Sequence, residues 1–222
     1  MYKNSKNTEI RIKNDFLWLL IALGLFVFIP SLIPSGGVKD LMIYFTLLLV
    51  LSCSLISIEL SKAHLWTGAM LAVLVLITTV FPFADSNMFA FLVQIGSLII
   101  FLSYITLIVL RRIAFAERVS PNILYGSIAG YLLMGLLGGF WCRLIEHLYP
   151  GSFLMPLNWT AEIDTLTYYS FVTMSSLGYG DIGPGTPAGR ATSIFIAIAG
   201  QMYLTINIAL LVGSYTRNRQ KN

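Results

Sequence analysis

Charge is what this sequence has least of. Only 11% of its 222 residues are Asp, Glu, Lys or Arg, against about 25% in a soluble globular domain. With 57% hydrophobic residues, polar surface is too scarce to cover a water-soluble fold, so lipid has to be the solvent. Histidine is nearly missing too, with only His64 and His147 present. The cysteines are Cys53 and Cys142, with no spacing that resembles a zinc or redox site. Each sits in an apolar segment, at opposite membrane depths in the reading below, so both are expected to be free packing residues. No helix carries paired carboxylates, a nucleophile–base set or a ligand group, so neither an enzyme nor a cofactor is expected. The net charge of +4 is spread along the chain, and no nucleic-acid partner is expected.

What is there is a series of apolar runs of membrane length. They cover about residues 16–33, 41–58, 65–83, 88–110, 121–147 and 188–215. Each is near the roughly 20 residues that cross a bilayer as a helix, and lipid allows no open backbone. The first run is interrupted by Pro30 and Pro34 and follows a basic start. A signal peptide would look similar, but no small-residue cleavage site follows, so a retained first helix is preferred. Turns are expected at Ser35-Gly36-Gly37, at Ala84-Asp85-Ser86-Asn87 and at Pro150-Gly151-Ser152. Pro121 opens the fifth helix, a position where proline is well tolerated. A short amphipathic helix, about 163–175, is expected between the fifth and sixth runs. The fold class is therefore all-α membrane protein.

The positive residues orient it. With the N-terminus in the cytoplasm, Lys3, Lys6, Arg11, Lys13, Lys62, Arg111, Arg112, Arg118, Arg217, Arg219 and Lys221 lie inside. Only Lys39, Arg143 and Arg190 lie outside, so eleven of the fourteen basic residues obey the positive-inside rule. Both termini are thus expected in the cytoplasm of a multi-pass plasma-membrane protein.

The stretch that packing cannot explain is Thr173-Met174-Ser175-Ser176-Leu177-Gly178-Tyr179-Gly180-Asp181. Gly178 and Gly180 permit left-handed backbone that other residues avoid. A backbone alternating between the two hands points successive carbonyl oxygens the same way, and such a row can replace the water shell of a cation. The run resembles the P-loop signature of potassium channels, T-x-x-T-x-G-Y-G-D. Thr173, Gly178, Tyr179, Gly180 and Asp181 match it. Ser176 stands where Thr is usual and Leu177 where Val or Ile is usual.

The resemblance covers about residues 120–215, and it implies a subunit of a potassium-selective channel that conducts passively. Ser176, Leu177, Gly178, Tyr179 and Gly180 would coordinate potassium, the permeant ion. Thr173, Tyr168 and Asp181 would support the filter. Tyr168 and Tyr169 match the family's bracing aromatic pair, and Tyr168 or Tyr179 is expected to hydrogen-bond there. Some relatives place a Glu behind the filter to pair with the Asp; here Val172 stands there, and that partner is lost. One P-loop per chain implies a homotetramer in the bilayer. Gly200 falls where the family's inner helix often bends, and packing is an equal reading. Gln201, Leu204, Ile208 and Val212 fall at helical spacing on the face that would line the cavity or gate it. Gly126, Gly130, Gly135, Gly138 and Gly139 are read as close-approach positions in the fifth helix.

Two domains are expected: 1–118, four helices resembling a voltage sensor in number only, and 119–222, the pore. The fourth helix, Met88 to Leu110, has no Arg or Lys. Only weak voltage dependence follows, because a sensor needs charge within the membrane. No segment is long enough to hold a cytoplasmic ligand-binding domain. The alternatives are a less selective monovalent cation channel, suggested by Ser176 and Leu177, and a non-conducting regulatory membrane subunit.

Overall fold

A computed structural model describes residues 14–33, 36–58, 62–80, 87–116, 120–157 and 159–219, with side chains as far as Leu210. The basic start through Lys13, Pro34, Ser35, the 84–86 part of the expected turn, Arg118 and Lys221 lie outside the described residues. The elements are α1 (Asp15–Leu32), α2 (Gly37–Ile56), α3 (Lys62–Val80), α4 (Met88–Ala114), α5 (Pro121–Leu148), β1 (Phe153–Leu154), α6 (Ile163–Met174), β2 (Gly183–Pro184) and α7 (Pro187–Arg219). Among the described residues, α1 to α5 and α7 are long and apolar enough to cross a membrane. The chain is an all-α membrane protein, with one two-residue antiparallel ladder between β1 and β2.

Most helix ends fall within a few residues of expectation, and two departures have physical causes. Pro30 does not break α1. It lies in the last turn, so its missing N–H costs one bond near an end that frays anyway. The fourth helix does not stop at Leu110; α4 continues through Arg111 and Arg112 to Ala114. Arg112 is held there rather than exposed in a linker. Its guanidinium donates to Asp15 Oδ2 at 2.5 Å and to the Ser57 carbonyl at 2.7 Å, and lies 4.3 Å from the Phe16 ring centre. Basic residues at a helix C-terminus also favour the macrodipole.

The chain forms two compact units: Met1–Met70 with Ile105–Leu132 and Leu210–Asn222, and Leu71–Tyr104 with Leu133–Ala209. The first has an apolar core of Phe16, Leu19, Leu23, Val50, Ile105 and Val109. Within it Asp15 is only 2% exposed. Its second oxygen accepts from Asn122 Nδ2 at 2.6 Å, and Asn122 Oδ1 accepts from the Phe16 amide at 3.2 Å. The starts of α1 and α5 and the ends of α2 and α4 thus meet at one polar node. Gly126 lets α5 approach, since a Cβ there would sit 2.8 Å from the Phe16 ring.

The second unit centres on Val75, Phe101, Leu133, Leu136, Leu166 and Met174. Here α5 lies close against the short helix α6. A Cβ at Gly135 would meet the Phe171 ring at 2.1 Å, one at Gly138 the Ser170 hydroxyl at 2.2 Å, and one at Gly139 the Thr167 Cα at 2.7 Å. These three glycines and Gly126 are close-approach positions, as their small-residue pattern suggests. Cys53 and Cys142 are both free.

Candidate functional site

Helix α6 ends at Met174, and the signature run begins in its last turn. Ser170 and Val172 are buried, whereas Ser176 to Asp181 are exposed. What turns the chain there is visible in the dihedrals. Ser176 has φ +60°, Gly178 φ +57° and Gly180 φ +80°, while Leu177 and Tyr179 stay at negative φ. Residues of positive and negative φ therefore alternate through the segment.

Helix α6 also fixes which way the first peptide planes face. The Ser176 amide donates to the Thr173 carbonyl at 3.1 Å, and the amides of Leu177 and Gly178 donate to the Val172 carbonyl at 3.0 and 3.4 Å. No peptide bond among the described residues is cis, so each N–H here is opposed by the carbonyl of the preceding residue. The carbonyls of Ser175, Ser176 and Leu177 therefore point away from α6. Carbonyls at the end of α6, which would otherwise have no partner, are used by the segment that follows. Val172, which has no acidic side chain to offer, contributes through its backbone instead.

Past the glycines, Asp181 finds a different partner from the missing Glu. Tyr168 donates its phenol O–H to Asp181 Oδ2 at 2.5 Å, and the Ile182 amide donates to Oδ1 at 3.0 Å. This is the phenol bond expected of Tyr168 or Tyr179. The bond to Asp181 first, then burial and the nearby charges, push Tyr168 up to about 12 from 10. A raised value means that the folded protein holds this proton more tightly. The stabilisation is complete below pH 10 and fades as pH rises toward 12. Tyr168→Phe is expected to lower stability by about 1 kcal/mol, since the pair is partly exposed. Thermal melts from pH 8 to 12 check this: the wild-type advantage over the variant should vanish at the alkaline end.

Tyr169, the second of the aromatic pair, is buried and shares a 2.6 Å hydrogen bond with Ser193 of α7. Thr173, Tyr168 and Asp181 thus lie around the exposed run, with Thr173 contributing its carbonyl. On α7, Gln201, Leu204 and Ile208 are all exposed, as are Phe195, Ile198 and Met202. Val212 lies in the same helix, and its side chain is outside the described residues. Gly200 is a close approach to α6: an added Cβ would lie 2.4 Å from the Met174 carbonyl oxygen. The helix α7 is continuous through it.

Sequence reasoning missed the clamp around this site. The β1–β2 ladder pairs Phe153 with Pro184 and Leu154 with Gly183, tying the loop before α6 to the loop after Asp181. Glu146 accepts from the amides of Gly151 and Phe153 at 2.8 and 2.9 Å, and Arg143 donates to the Ala161 carbonyl. Glutamate four residues before a Pro-Gly turn, at a helix end, is the trace this leaves in the sequence. His147 is packed, stacked 3.7 Å from Phe91 with Nε2 3.0 Å from Met88 Sδ.

A family model described as "Ion channel" matches residues 131–217, from α5 through the exposed run to α7. Two pore potassium channel c of Oryza sativa subsp. japonica is 32% identical over 95 residues, 43% of this chain. The voltage-gated potassium channel of Aeropyrum pernix is 29% identical over 106 residues, 48% of this chain. From α5 to α7 the chain is thus similar to potassium channels. The chain spans only 19% and 32% of the lengths of these two relatives. No solved structure matches it.

Proposed function

We propose that this protein is a subunit of a potassium-selective channel, conducting passively through the axis of a homotetramer. The observation that carries the reading is the alternation of hand at Ser176, Gly178 and Gly180, joined to the Val172 carbonyl that turns the first peptides outward from α6. One chain offers one oxygen per level, and an ion stripped of water needs about eight. Four copies around an axis would supply four oxygens per level, so an ion between two adjacent levels meets about eight, and the copies would also cover the exposed Leu177 and Tyr179 side chains, 60% and 67% accessible in the single chain. Ser176, Leu177, Gly178, Tyr179 and Gly180 would coordinate the ion, and Gln201, Leu204, Ile208 and Val212 would line the cavity or gate. No cofactor is assigned; potassium is the permeant ion.

Residues 119–222 form the pore domain in this reading and residues 1–118 a four-helix membrane domain, with both termini in the cytoplasm and the protein in the plasma membrane. Voltage dependence is weak, because Arg111 and Arg112 occupy the last turn of α4 and the rest of that helix carries no Lys or Arg. One charge crossing 100 mV gains only about 2.3 kcal/mol, and α4 offers none in its middle.

The test is the purified chain in liposomes and planar bilayers. A potassium gradient should drive flux, the reversal potential in mixed sodium and potassium should follow potassium, and open probability should change by less than about one gating charge predicts. Equal permeability to sodium would replace the reading with a less selective cation channel, the alternative that Ser176 and Leu177 favour. Absence of any current would make the chain a non-conducting regulatory subunit.

A further inference from the structure

Gln201 does more than occupy a watery face. Its Nε2 lies 2.8 Å from Ser176 Oγ and 3.4 Å from the Met174 carbonyl oxygen. The carbonyl can only accept, so the atom facing both partners is the amide nitrogen. Gly200 makes the contact possible by seating α7 on the Met174 backbone, which leaves the next side chain beside the start of the exposed run. Ser176 is also the one described non-glycine residue at positive φ, a conformation that a residue with a Cβ holds only when its surroundings fix it.

We infer that Gln201 is a positioning residue for the innermost oxygen ring of the filter: its amide fixes the Ser176 hydroxyl so that a lone pair, not the proton, meets an ion arriving from the cavity. The inference rests on the channel reading and deepens it. A serine hydroxyl has one donor hydrogen and two lone pairs. The Gln201 N–H occupies one lone pair, so the hydroxyl hydrogen is turned aside and the second lone pair is left for a cation. Without the amide, the hydroxyl rotates and spends part of its time with its proton toward the ion. Serine needs this help more than threonine, whose branched side chain already restricts χ1. The glutamine and the serine are therefore one device: an oxygen whose orientation is set from α7.

The experiment is a double-mutant cycle on the reconstituted tetramer, with Gln201→Met, Ser176→Ala and the pair. Methionine keeps length and helix propensity and removes the N–H. Potassium flux and the potassium-to-sodium permeability ratio should each fall about three- to tenfold in Gln201→Met, the weight of one hydrogen bond. The same change on the Ser176→Ala background should shift neither by more than about twofold. On a Ser176→Thr background, which keeps a hydroxyl, Gln201→Met should again lower both, though by less. Multiplying effects, with Gln201→Met equally harmful when the hydroxyl is gone, would overturn the inference while leaving the channel reading in place. A wild-type chain that passes no potassium would overturn both. If Gln201→Met fails to assemble, side-chain amide NMR of the ¹⁵N-glutamine-labelled wild-type and Ser176→Ala tetramers decides instead. The Gln201 Nε2 resonance should move in Ser176→Ala, and an unmoved resonance would sink the claim.

Discussion

Gly178→Ala should lower potassium flux from the reconstituted channel at least a hundredfold. The cause is conformational, not steric. Gly178 sits at φ +57°, and an added Cβ would meet nothing within 4 Å in its own chain. Left-handed backbone costs an L-residue with a side chain about 1–2 kcal/mol. In the proposed ring of four the cost is about 4–8 kcal/mol, and each 1.4 kcal/mol is a factor of ten. The alanine relieves the strain by leaving the left-handed region, which rotates the peptide whose N–H reaches the Val172 carbonyl at 3.4 Å. The Leu177 oxygen then swings out of line in every copy. Gly24→Ala is the matched control: it also opens onto free space, but within α1 and without positive φ, and should leave flux within about twofold. Size-exclusion chromatography of both variants separates lost conduction from lost assembly. Wild-type flux through Gly178→Ala would mean that the alternation of hand has no part in conduction.

How much of this was legible in the sequence depends on the distance over which each feature is determined. The spanning helices were readable because lipid forces a long apolar run to satisfy its own backbone, and Pro121 and Met88 begin their helices where composition changes. The glycines of the signature were readable because only glycine takes positive φ cheaply. Ser176 was not readable in that role, since nothing in a serine announces a left-handed backbone; that follows from the Val172 and Thr173 carbonyls behind it. Tyr168 was assigned to the support of the run, and Val172 was seen to deprive Asp181 of an acidic partner, yet that Tyr168 takes that place is visible only in the structure. Gln201 was placed on the cavity face by helical spacing. Periodicity gives a face but not a depth, and the 2.8 Å contact with Ser176 depends on Gly200 letting α7 touch Met174. The β1–β2 ladder is two residues per strand, too short for any alternation to show. The extension of α4 to Ala114 was hidden because Arg111 and Arg112 look like the end of a span until Asp15 is seen to hold Arg112.

That last pair carries the second large effect. Asp15→Ala should destabilise the folded protein by about 3–5 kcal/mol, the cost of leaving one member of a buried ion pair alone. Asp15 is a carboxylate with almost no solvent, bound to Arg112 and Asn122, and the guanidinium cannot shed its charge when the carboxylate goes. For a chain of this size the melting temperature should drop by on the order of 10 °C. Arg111→Ala, one residue away but exposed, should stay within about 0.5 kcal/mol of wild type. The informative variant is the double substitution Asp15→Leu with Arg112→Met. If the harm of Asp15→Ala comes from an orphaned charge, replacing both partners by apolar side chains recovers most of the lost stability. If the pair matters instead for joining α1, α4 and α5, the double variant stays as unstable as Asp15→Ala. The same geometry bears on gating. Arg112 is tied to α1 by Asp15 and to the end of α2 by the Ser57 carbonyl, so moving it through the membrane field would first break a buried ion pair. That costs more than the roughly 2.3 kcal/mol that 100 mV supplies per charge. Arg112 is therefore an anchor for the end of α4, and Asp15→Ala should lower stability without creating steep voltage dependence.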